Sequence, residues 1–344
     1  MVSLTYGIEE EFFVVNSALS SVCVPPSVFD KNPDFDVEMH KSVLETKTKV
    51  HSCINSLIDE VSFLRDRAQQ ALAPYALSLL GTGTHPYQKT PSDFASEGPY
   101  FEELKYKYQH LVEDNYICGM HMHVGASADE DTVLLYNNLI EILPLLLALS
   151  ANSPYWAGVD TGLMSYRSRV WKRLPRTTTP EPIESVGQYL DEHAKLFKFG
   201  LNLKPTSIWS DMRIHPTYKT IEIRIMDAQS NVENVRALAA FIAAYCKYVL
   251  SIRQTPQPYK RAVLEENIFL ASRFGTNAYF YQPDFSQVHC IVMLSDYLEK
   301  LKPFFDNPDD ILYVMNLLIK GSPAIEQRKL LTAGLSAFKH SIIE

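Results

Sequence analysis

The chain has 344 residues and a formal net charge of −8; 46% of its residues are hydrophobic and 21% are charged. These values exclude a disordered chain. They also argue against a protein that mainly binds nucleic acid, because a surface that follows phosphates needs a basic excess. The five cysteines are odd in number and never spaced as CxxC, which argues against a disulfide framework or a structural zinc site and favours a reducing compartment.

No basic segment followed by an apolar stretch is present at the start of the sequence, so no signal peptide is expected. The most apolar run, 133–149, is interrupted by Asn137, Glu141 and Pro144. It is too short and too polar for a membrane span, and it predicts a buried helix. We therefore expect a cytoplasmic protein that binds neither membrane nor nucleic acid.

Strand-like and helix-like segments are mixed over residues 1–230, whereas apolar residues recur at helical spacing over 231–344. Because strands and helices do not alternate regularly, the pattern predicts an α+β fold with a helical C-terminal region. We expect one domain over 1–344, made of a sheet-bearing core and this helical region. The predicted helices there are 232–252, 261–274, 286–301, 311–320 and 324–343.

Three segments, 7–15, 118–125 and 219–227, place ionisable residues two positions apart between apolar neighbours. The pairs are Glu9 and Glu11, His121 and His123, and Glu222 and Arg224. Side chains at i and i+2 of a strand point to the same face, so each segment predicts a strand with one apolar and one ionisable face. If the strands share one antiparallel sheet, these groups converge on a common surface.

Converging carboxylates and imidazoles repel one another or stay poorly satisfied unless cations lie between them. Mg²⁺ takes carboxylate oxygens and shares its coordination with substrate phosphates, so this face is interpreted as a metal–nucleotide platform. The alternative is a solvated face of surface strands, which one such segment alone would favour. Zinc is disfavoured because the histidine pair lacks a third ligand at a typical spacing.

The segment 36–48 adds two acids, Glu38 and Glu45, seven residues apart. On one helix this spacing places both on one face, whereas on one strand they would face opposite ways. A bend between them could also bring both to one site. An exposed helix with scattered charges is a further alternative.

The stretch 165–180 is strongly basic in an acidic protein and contains Arg167, Arg169 and Arg173. Guanidinium groups match phosphate and carboxylate oxygens, so the stretch predicts a loop that closes over a nucleotide, with a solvated surface as the alternative. Arg213 lies just before the strand that carries Glu222. Because the sequence has no glycine-rich phosphate loop, metals and arginines would have to hold ATP.

Five motifs follow one another along the chain. They are GIEEEFF at 7–13, GTGTHP at 81–86, CGMHMHVG at 118–125, SYRS at 165–168 and EIRIMDAQ at 222–229. Together they resemble the carboxylate–amine ligases of the type 2 glutamate–cysteine ligase family over residues 6–328. The resemblance implies a glutamine-synthetase-like fold, an antiparallel sheet whose concave face forms the active site, flanked by helices. It also implies one catalytic domain, ATP and several Mg²⁺ ions, with Mn²⁺ as the alternative ion, and a homo-oligomer.

Residue roles are implied by the same resemblance. The implied metal ligands are Glu9, Glu11, Glu38, Glu45, His123 and Glu222. Arg224 and Arg167 are the implied catalytic arginines that face phosphate. The resemblance also places His121 near the metal ligands. The basic residues Arg169, Arg173 and Arg213 are predicted to bind substrate or nucleotide because guanidinium groups match phosphate oxygens. The chain departs from the family pattern where Ile268, Phe269 and Leu270 replace an Arg-Trp-Arg sequence and near Gly321. This leaves the inherited substrate preference open.

The expected activity is ATP-dependent joining of a small carboxylate, such as glutamate or another amino acid, to an amine such as cysteine. An acyl phosphate would form first, and ADP and phosphate would be released. Two alternatives remain at this point. One is a small-molecule kinase that uses the same metal–ATP platform, and the other is a non-catalytic nucleotide-binding regulator.

Overall fold

The protein is described by a computed structural model over residues 3–30, 32–89, 96–198 and 207–333. A seven-stranded antiparallel sheet has the order β2-β3-β1-β5-β9-β8, with β4 also paired to β1. Its strands are β1 (Leu4–Asn16), β2 (Phe35–Val37), β3 (Val43–Lys47), β4 (Leu77–Leu80), β5 (Gly119–Ala126), β8 (Met212–Ile214) and β9 (Ile221–Asp227). Two small antiparallel pairs are β6 (Tyr155–Trp156) with β7 (Val159–Asp160), and β10 (Tyr279–Tyr281) with β11 (Gln287–His289).

Helices flank the large sheet. They are α1 (Pro26–Asp30), α2 (Ile54–Leu72), α3 (Pro99–Tyr108), α4 (His110–Glu113), α5 (Asp129–Ser150), α6 (Arg167–Trp171), α7 (Val186–Lys198), α8 (Val232–Ile252), α9 (Arg261–Phe274), α10 (Cys290–Leu301), α11 (Asp310–Lys320) and α12 (Pro323–Ala333).

One face of the sheet is apolar and packs in the main hydrophobic core. Ile8, Met122 and Ile223 lie on three adjacent strands and are buried there together with residues of α5 and α8. These two helices are long and apolar enough to cross a membrane by length and composition, but most of each is buried inside the protein. Both are therefore buried core helices, as the sequence predicted for the run 133–149, which lies in α5.

The C-terminal helices follow the predicted pattern, and the main difference is the start of α10. Helices α8 and α9 have the predicted bounds. Helix α10 begins at Cys290 rather than at 286, because Gln287–His289 pair with β10 instead of starting a helix. His289 then caps α10, its Nδ1 accepting a hydrogen bond from the Ile291 amide at 3.2 Å. Of the helix predicted over 324–343, residues 334–343 lie outside the described part of the chain.

Strand β1 carries an acid on its core side. Glu10 is buried and accepts hydrogen bonds from Arg65 of α2 at 3.0 and 2.7 Å, and the Arg65 guanidinium lies over the Phe12 ring. A slip of one residue would send Glu10 to the opposite face and leave Arg65 buried without this partner. The ion pair therefore favours the register in which Glu9 and Glu11 face away from the core.

Candidate active site

The face of the sheet opposite the core gathers the predicted polar residues. Strand pairing places them directly across from one another. The opposing pairs are Glu11 and Glu45, Glu9 and His121, and His123 and Glu222. Opposing side chains in antiparallel strands lie close enough to interact, so four strands supply a continuous ionisable surface.

This surface forms the floor of a cavity of about 350 Å³, called here the central pocket. The acidic and basic residues that line it are Glu9, Glu11, Glu38, His40, Glu45, Lys47, His121, Arg167, Arg213, His215 and Arg224. An aromatic and apolar wall includes Met39, Tyr100, Phe101, Leu104, Trp171, Leu174 and Trp209. The central pocket thus combines a charged floor with a wall that can exclude water.

Two groups of possible metal ligands lie on this face of the sheet. Glu9, Glu11, Glu38 and Glu45 line the central pocket, whereas His123 and Glu222 are buried next to them. The first, called the arginine-backed cluster, consists of Glu9, His123 and Glu222, whose ligand atoms lie within 4.8 Å of one another. Nε2 of His123 is 3.5 Å from Glu9 Oε1, and Nδ1 of the same ring is 2.8 Å from Oγ1 of Thr220. Because Thr220 engages Nδ1, Nε2 is the ring atom that faces the carboxylate and is available to a metal.

Arginines neutralise this first cluster. Arg213 donates to the two carboxylate oxygens of Glu222 at 2.7 and 3.0 Å, and Arg224 donates to the same carboxylate. Burial opposes ionisation of Glu222, but the charges of Arg224 and Arg213 outweigh it and hold its pKa well below the ordinary value. Burial likewise opposes ionisation of Glu9, whose pKa is lowered by hydrogen bonds with His121 and His123. Both carboxylates are therefore ionised at neutral pH.

The second group, called the triacid cluster, consists of Glu11, Glu38 and Glu45, with ligand atoms within 4.8 Å of one another. Glu45 lies on β3, whereas Glu38 follows the end of β2. The bend between the two strands brings both acids to one site, so this alternative is the one that the structure adopts. Lys47 is 2.9 Å from Glu45 and is the lysine that lines the floor.

The pKa values of the acids in the triacid cluster are raised, in contrast to those in the arginine-backed cluster. Burial raises the pKa of Glu11 to about 7; Arg167 opposes this shift, while Glu45 adds to it. Burial, together with the charges of Glu45 and Glu11, raises the pKa of Glu38 well above its ordinary value. The pKa of Glu45 is also raised, by burial and by Glu9. Three buried acids that cannot easily ionise together form a site that favours a cation.

The donor set of both clusters fits a hard divalent cation. Carboxylate oxygens dominate, as Mg²⁺ or Mn²⁺ requires, and one imidazole adds a nitrogen. His121 lies between the clusters, 3.5 Å from Glu9 and 3.9 Å from Glu11. Burial and the charge of Arg224 lower the pKa of His121 to about 3, so the ring is neutral. Its Nε2, like that of His123, is buried without a hydrogen-bond partner among the described residues.

Arg167 begins the short helix α6 and is buried at the floor of the pocket, so it is not part of an exposed loop. Its guanidinium donates to the backbone carbonyls of Arg224 at 3.3 Å and Ile225 at 3.4 Å. A side chain at Gly119 would collide with this guanidinium, and the Gly119 amide donates to Glu11 at 2.6 Å. The glycine of the CGMHMHVG motif thus permits both the packing of Arg167 and the placement of Glu11.

Two predicted arginines lie elsewhere. Arg169 lines a second cleft, where its guanidinium lies over the ring of Phe269, one of the residues that depart from the family pattern. Arg173 donates to the Tyr166 hydroxyl at 3.0 Å and lies 3.7 Å from Asp114, outside the lining of the central pocket. The structure therefore brings Arg167, but not these two, to the pocket.

Several residues in the pocket or close to it received no role from the sequence. Lys47 is two positions after Glu45, so the spacing used for the other strands could have revealed it. The Trp171 ring lies under the guanidinium groups of both Arg167 and Arg224 and helps to position them. Asp227 ends β9 and accepts hydrogen bonds from the Ser153 hydroxyl at 2.6 Å and from two other groups. No local pattern distinguishes such a buried acid from an exposed one.

Comparisons with known proteins agree with this arrangement. Residues 5–302 match the model of glutamate-cysteine ligase family 2. A glutamate–cysteine ligase of Haloquadratum walsbyi is 30% identical over 312 residues, which cover 86% of this chain and 84% of that protein. A protein of Sorangium cellulosum, provisionally named glutamate–cysteine ligase 2, is 30% identical over 94% of this chain and 90% of its own length. The chain belongs to glutamate–cysteine ligase family 2.

Solved structures show the same fold. The glutamate–cysteine ligase of Francisella tularensis, in complex with AMP, has a TM-score of 0.76 at 14% identity and covers 99% of this chain and 88% of its own. A bifunctional glutathione synthetase of Pasteurella multocida has a TM-score of 0.72 at 15% identity, covering 97% of this chain and 51% of its own. The predicted glutamine-synthetase-like fold is confirmed. The prediction of an ATP-dependent ligase that forms a C–N bond is confirmed by the family.

Proposed function

We propose that this protein joins the carboxylate of a small molecule, such as glutamate or another amino acid, to an amine such as cysteine, through an acyl phosphate. One observation carries the proposal. Two groups of metal-ligating side chains lie side by side on one sheet face, and buried arginines flank them. This is the charge arrangement that a reaction between two anions, a carboxylate and a triphosphate, requires.

The nucleotide is assigned to the arginine-backed cluster. Arg213 and Arg224 lie on this side of the sheet and pair with Glu222. Arg224 lines the pocket, and its Nε has no hydrogen-bond partner among the described residues, so it can donate to a phosphate oxygen. The AMP bound to the Francisella relative supports a nucleotide site in this fold. We assign the acid and the amine to the side of the triacid cluster, beside the aromatic and apolar wall, where they are shielded from water.

The chemistry proceeds in two steps. An oxygen of the substrate carboxylate attacks the γ-phosphorus of ATP; the bond to the bridging oxygen breaks and ADP leaves. The amine nitrogen then attacks the acyl carbon, loses a proton, and displaces phosphate to leave an amide. Mg²⁺ held by the two clusters would neutralise the reacting anions. Arg224 touches the phosphoryl site and stabilises the charge in transfer, while Arg167 supports Glu11 and the floor from below.

The proposal is tested by incubating the protein with Mg²⁺, ATP and a panel of amino acids as acids against a panel of amines. ADP release and the mass of the product are measured together. For an active pair, the acid is labelled with oxygen-18 in its reacting carboxylate. Passage through an acyl phosphate transfers one labelled oxygen to the released phosphate. The Glu11→Gln variant serves as the inactive control.

Each alternative has its own outcome. A stable phosphorylated acid with no amide would instead identify a small-molecule kinase. Binding of Mg·ATP without ADP formation across the panel would identify a non-catalytic regulator. An amide with phosphate free of oxygen-18 would retain the ligase and overturn the acyl phosphate.

A further inference from the structure

An exposed aromatic ring lies beside the arginine-backed cluster in the loop between β8 and β9. The Tyr218 ring is stacked on the His215 ring, with centroids 4.4 Å apart and planes 14° from parallel. His215 is buried and lines the central pocket, whereas Tyr218 is 67% exposed. One face of the tyrosine ring is thus covered by His215, a residue of the pocket lining, and most of the Tyr218 side chain is exposed to solvent.

The loop holds this stack in a defined position. The backbone amides of Thr217 and Tyr218 donate to Nδ1 of His215 at 3.3 and 3.1 Å. The backbone of Lys219 is left-handed, with φ of 55°, and its amide donates to the His215 carbonyl at 2.8 Å. These backbone hydrogen bonds hold the loop and the His215 ring in place, so a ligand would meet a preorganised surface.

The stack is close to the predicted phosphate end of a nucleotide. The His123 ring, part of the arginine-backed cluster, has its centroid 6.2 Å from that of Tyr218 and 5.7 Å from that of His215. A triphosphate held at Arg213 and Arg224 leaves its nucleoside to extend toward an edge of the pocket. Trp209 of the wall is buried in a cluster with Leu104 and Leu174, so its ring is less open to a ligand than that of Tyr218.

We propose that the Tyr218–His215 stack is the platform for the base of the nucleotide, with Tyr218 making the direct contact. The inference rests on the proposed function, since it places the base of the same ATP whose phosphates lie at the arginine-backed cluster. A purine has two flat π faces, and stacking on an aromatic side chain is tolerant of its hydrogen-bonding edge. The platform therefore favours a ligand that has a base over one that has none, but it does not distinguish one base from another.

The test compares two probes, Mg·ATP and Mg·tripolyphosphate, by titration calorimetry of the wild-type protein and of Tyr218→Ala and Tyr218→Phe. Tyr218→Ala should weaken ATP binding by about tenfold, the effect of losing one stacked base. Binding of tripolyphosphate, which has no base, should be unchanged. Tyr218→Phe keeps the ring and should bind ATP as the wild type does. Tyr279 is an exposed tyrosine packed against His289 outside the pocket, so Tyr279→Ala is the matched control.

The platform is overturned if Tyr218→Ala binds ATP as tightly as the wild type, or if both probes lose affinity equally. The proposed function survives either result as long as the wild type binds ATP. The platform is also overturned if the wild type binds ATP no more tightly than it binds tripolyphosphate. A wild type that binds neither probe overturns both the platform and the nucleotide site, which distinguishes that failure from the others.

Discussion

The two clusters on the polar face of the sheet contain similar ligands but differ in how their charge is balanced. In the arginine-backed cluster, Glu222 has no exposed surface and is paired with two arginines. In the triacid cluster, Glu11, Glu38 and Glu45 face one another, and Lys47 pairs with Glu45 alone of the three. The pKa of Glu222 is accordingly lowered, whereas the pKa values of the three acids are raised.

Because of this difference, the charges of one cluster also serve folding, whereas those of the other serve mainly cation binding. The arginine-backed cluster is neutralised by the protein itself, so its charges also stabilise the fold. The triacid cluster is left with unfavourable repulsion that a cation would relieve, as is common where a site is built for binding at the expense of stability. Substitutions should therefore have similar effects on catalysis in both clusters but opposite effects on the stability of the metal-free protein.

The largest expected effect is on turnover. Glu11→Gln removes a metal-ligating charge while keeping the side-chain volume, and ADP release should fall by about 10²–10³-fold or more. Glu222→Gln should do the same. Glu97 is an exposed acid paired with Lys41, so Glu97→Gln makes the same chemical change outside the pocket and should leave turnover unchanged. Retention of turnover in Glu11→Gln would remove the triacid cluster from the mechanism.

The two variants should change the stability of the protein in opposite directions. Glu222→Gln leaves Arg213 and Arg224 buried without their carboxylate, which should lower the free energy of unfolding by about 3–5 kcal/mol. Glu11→Gln relieves repulsion and should raise it by about 1 kcal/mol in Mg²⁺-free buffer. Denaturant unfolding followed by circular dichroism measures both. Equal changes in the free energy of unfolding of the two variants would show that charge is balanced in the same way in both clusters.

Mg²⁺ should stabilise the wild type, because it binds the folded site. At a concentration a hundredfold above Kd, the gain is about 2.7 kcal/mol, or roughly 5 °C in the unfolding temperature of a chain of this size. Differential scanning fluorimetry measures the shift. Glu11→Gln should lose most of it, and no shift in the wild type would argue against a Mg²⁺ site.

The shift should also grow between about pH 6 and 8, because protons compete with Mg²⁺ for Glu11, whose pKa is raised to about 7. In Mg²⁺-free buffer the sign is reversed. The folded pKa of Glu11 exceeds its unfolded value, so its contribution to stability is fully present at low pH and is lost as pH rises toward 7. The charged groups around it are Glu38, Glu45, Arg167 and Arg224. A shift that is independent of pH would show that these acids are not the ones that bind Mg²⁺.

The parts of the site that the sequence predicted are those set by local alternation. Glu9 with Glu11, and His121 with His123, share a face because a strand repeats every two residues, and this holds whatever the strand pairs with. The bounds of helices α8 and α9 are equally local, since the periodicity of their apolar residues and the prolines between them define these bounds.

What the sequence left open depends on contacts between distant segments. The Glu38–Glu45 geometry requires a bend that no residue type in 38–45 dictates, and the partners of Glu222 depend on strand register. The basic stretch shows a third limit. Helix α6 is so short that its pattern does not reveal its inner face; Arg167 and Trp171, four apart, face the pocket, whereas Arg169 between them faces another cleft.

The smallest expected effect concerns the support of a single ligand. Thr220→Val removes the hydroxyl that lies 2.8 Å from Nδ1 of His123, so the imidazole loses the group that orients it. The Mg²⁺ concentration that gives half-maximal ADP release should rise by about tenfold, while turnover at saturating Mg²⁺ is retained because no ligand is lost. Thr220→Ser keeps the hydroxyl and should restore wild-type behaviour, and Thr217→Val, in the exposed part of the same loop, is the control. If Thr220→Val lowers turnover at every Mg²⁺ concentration without changing the half-maximal value, Thr220 acts on the fold of the loop and not on the metal, and His123 would have to be oriented by its packing against His215.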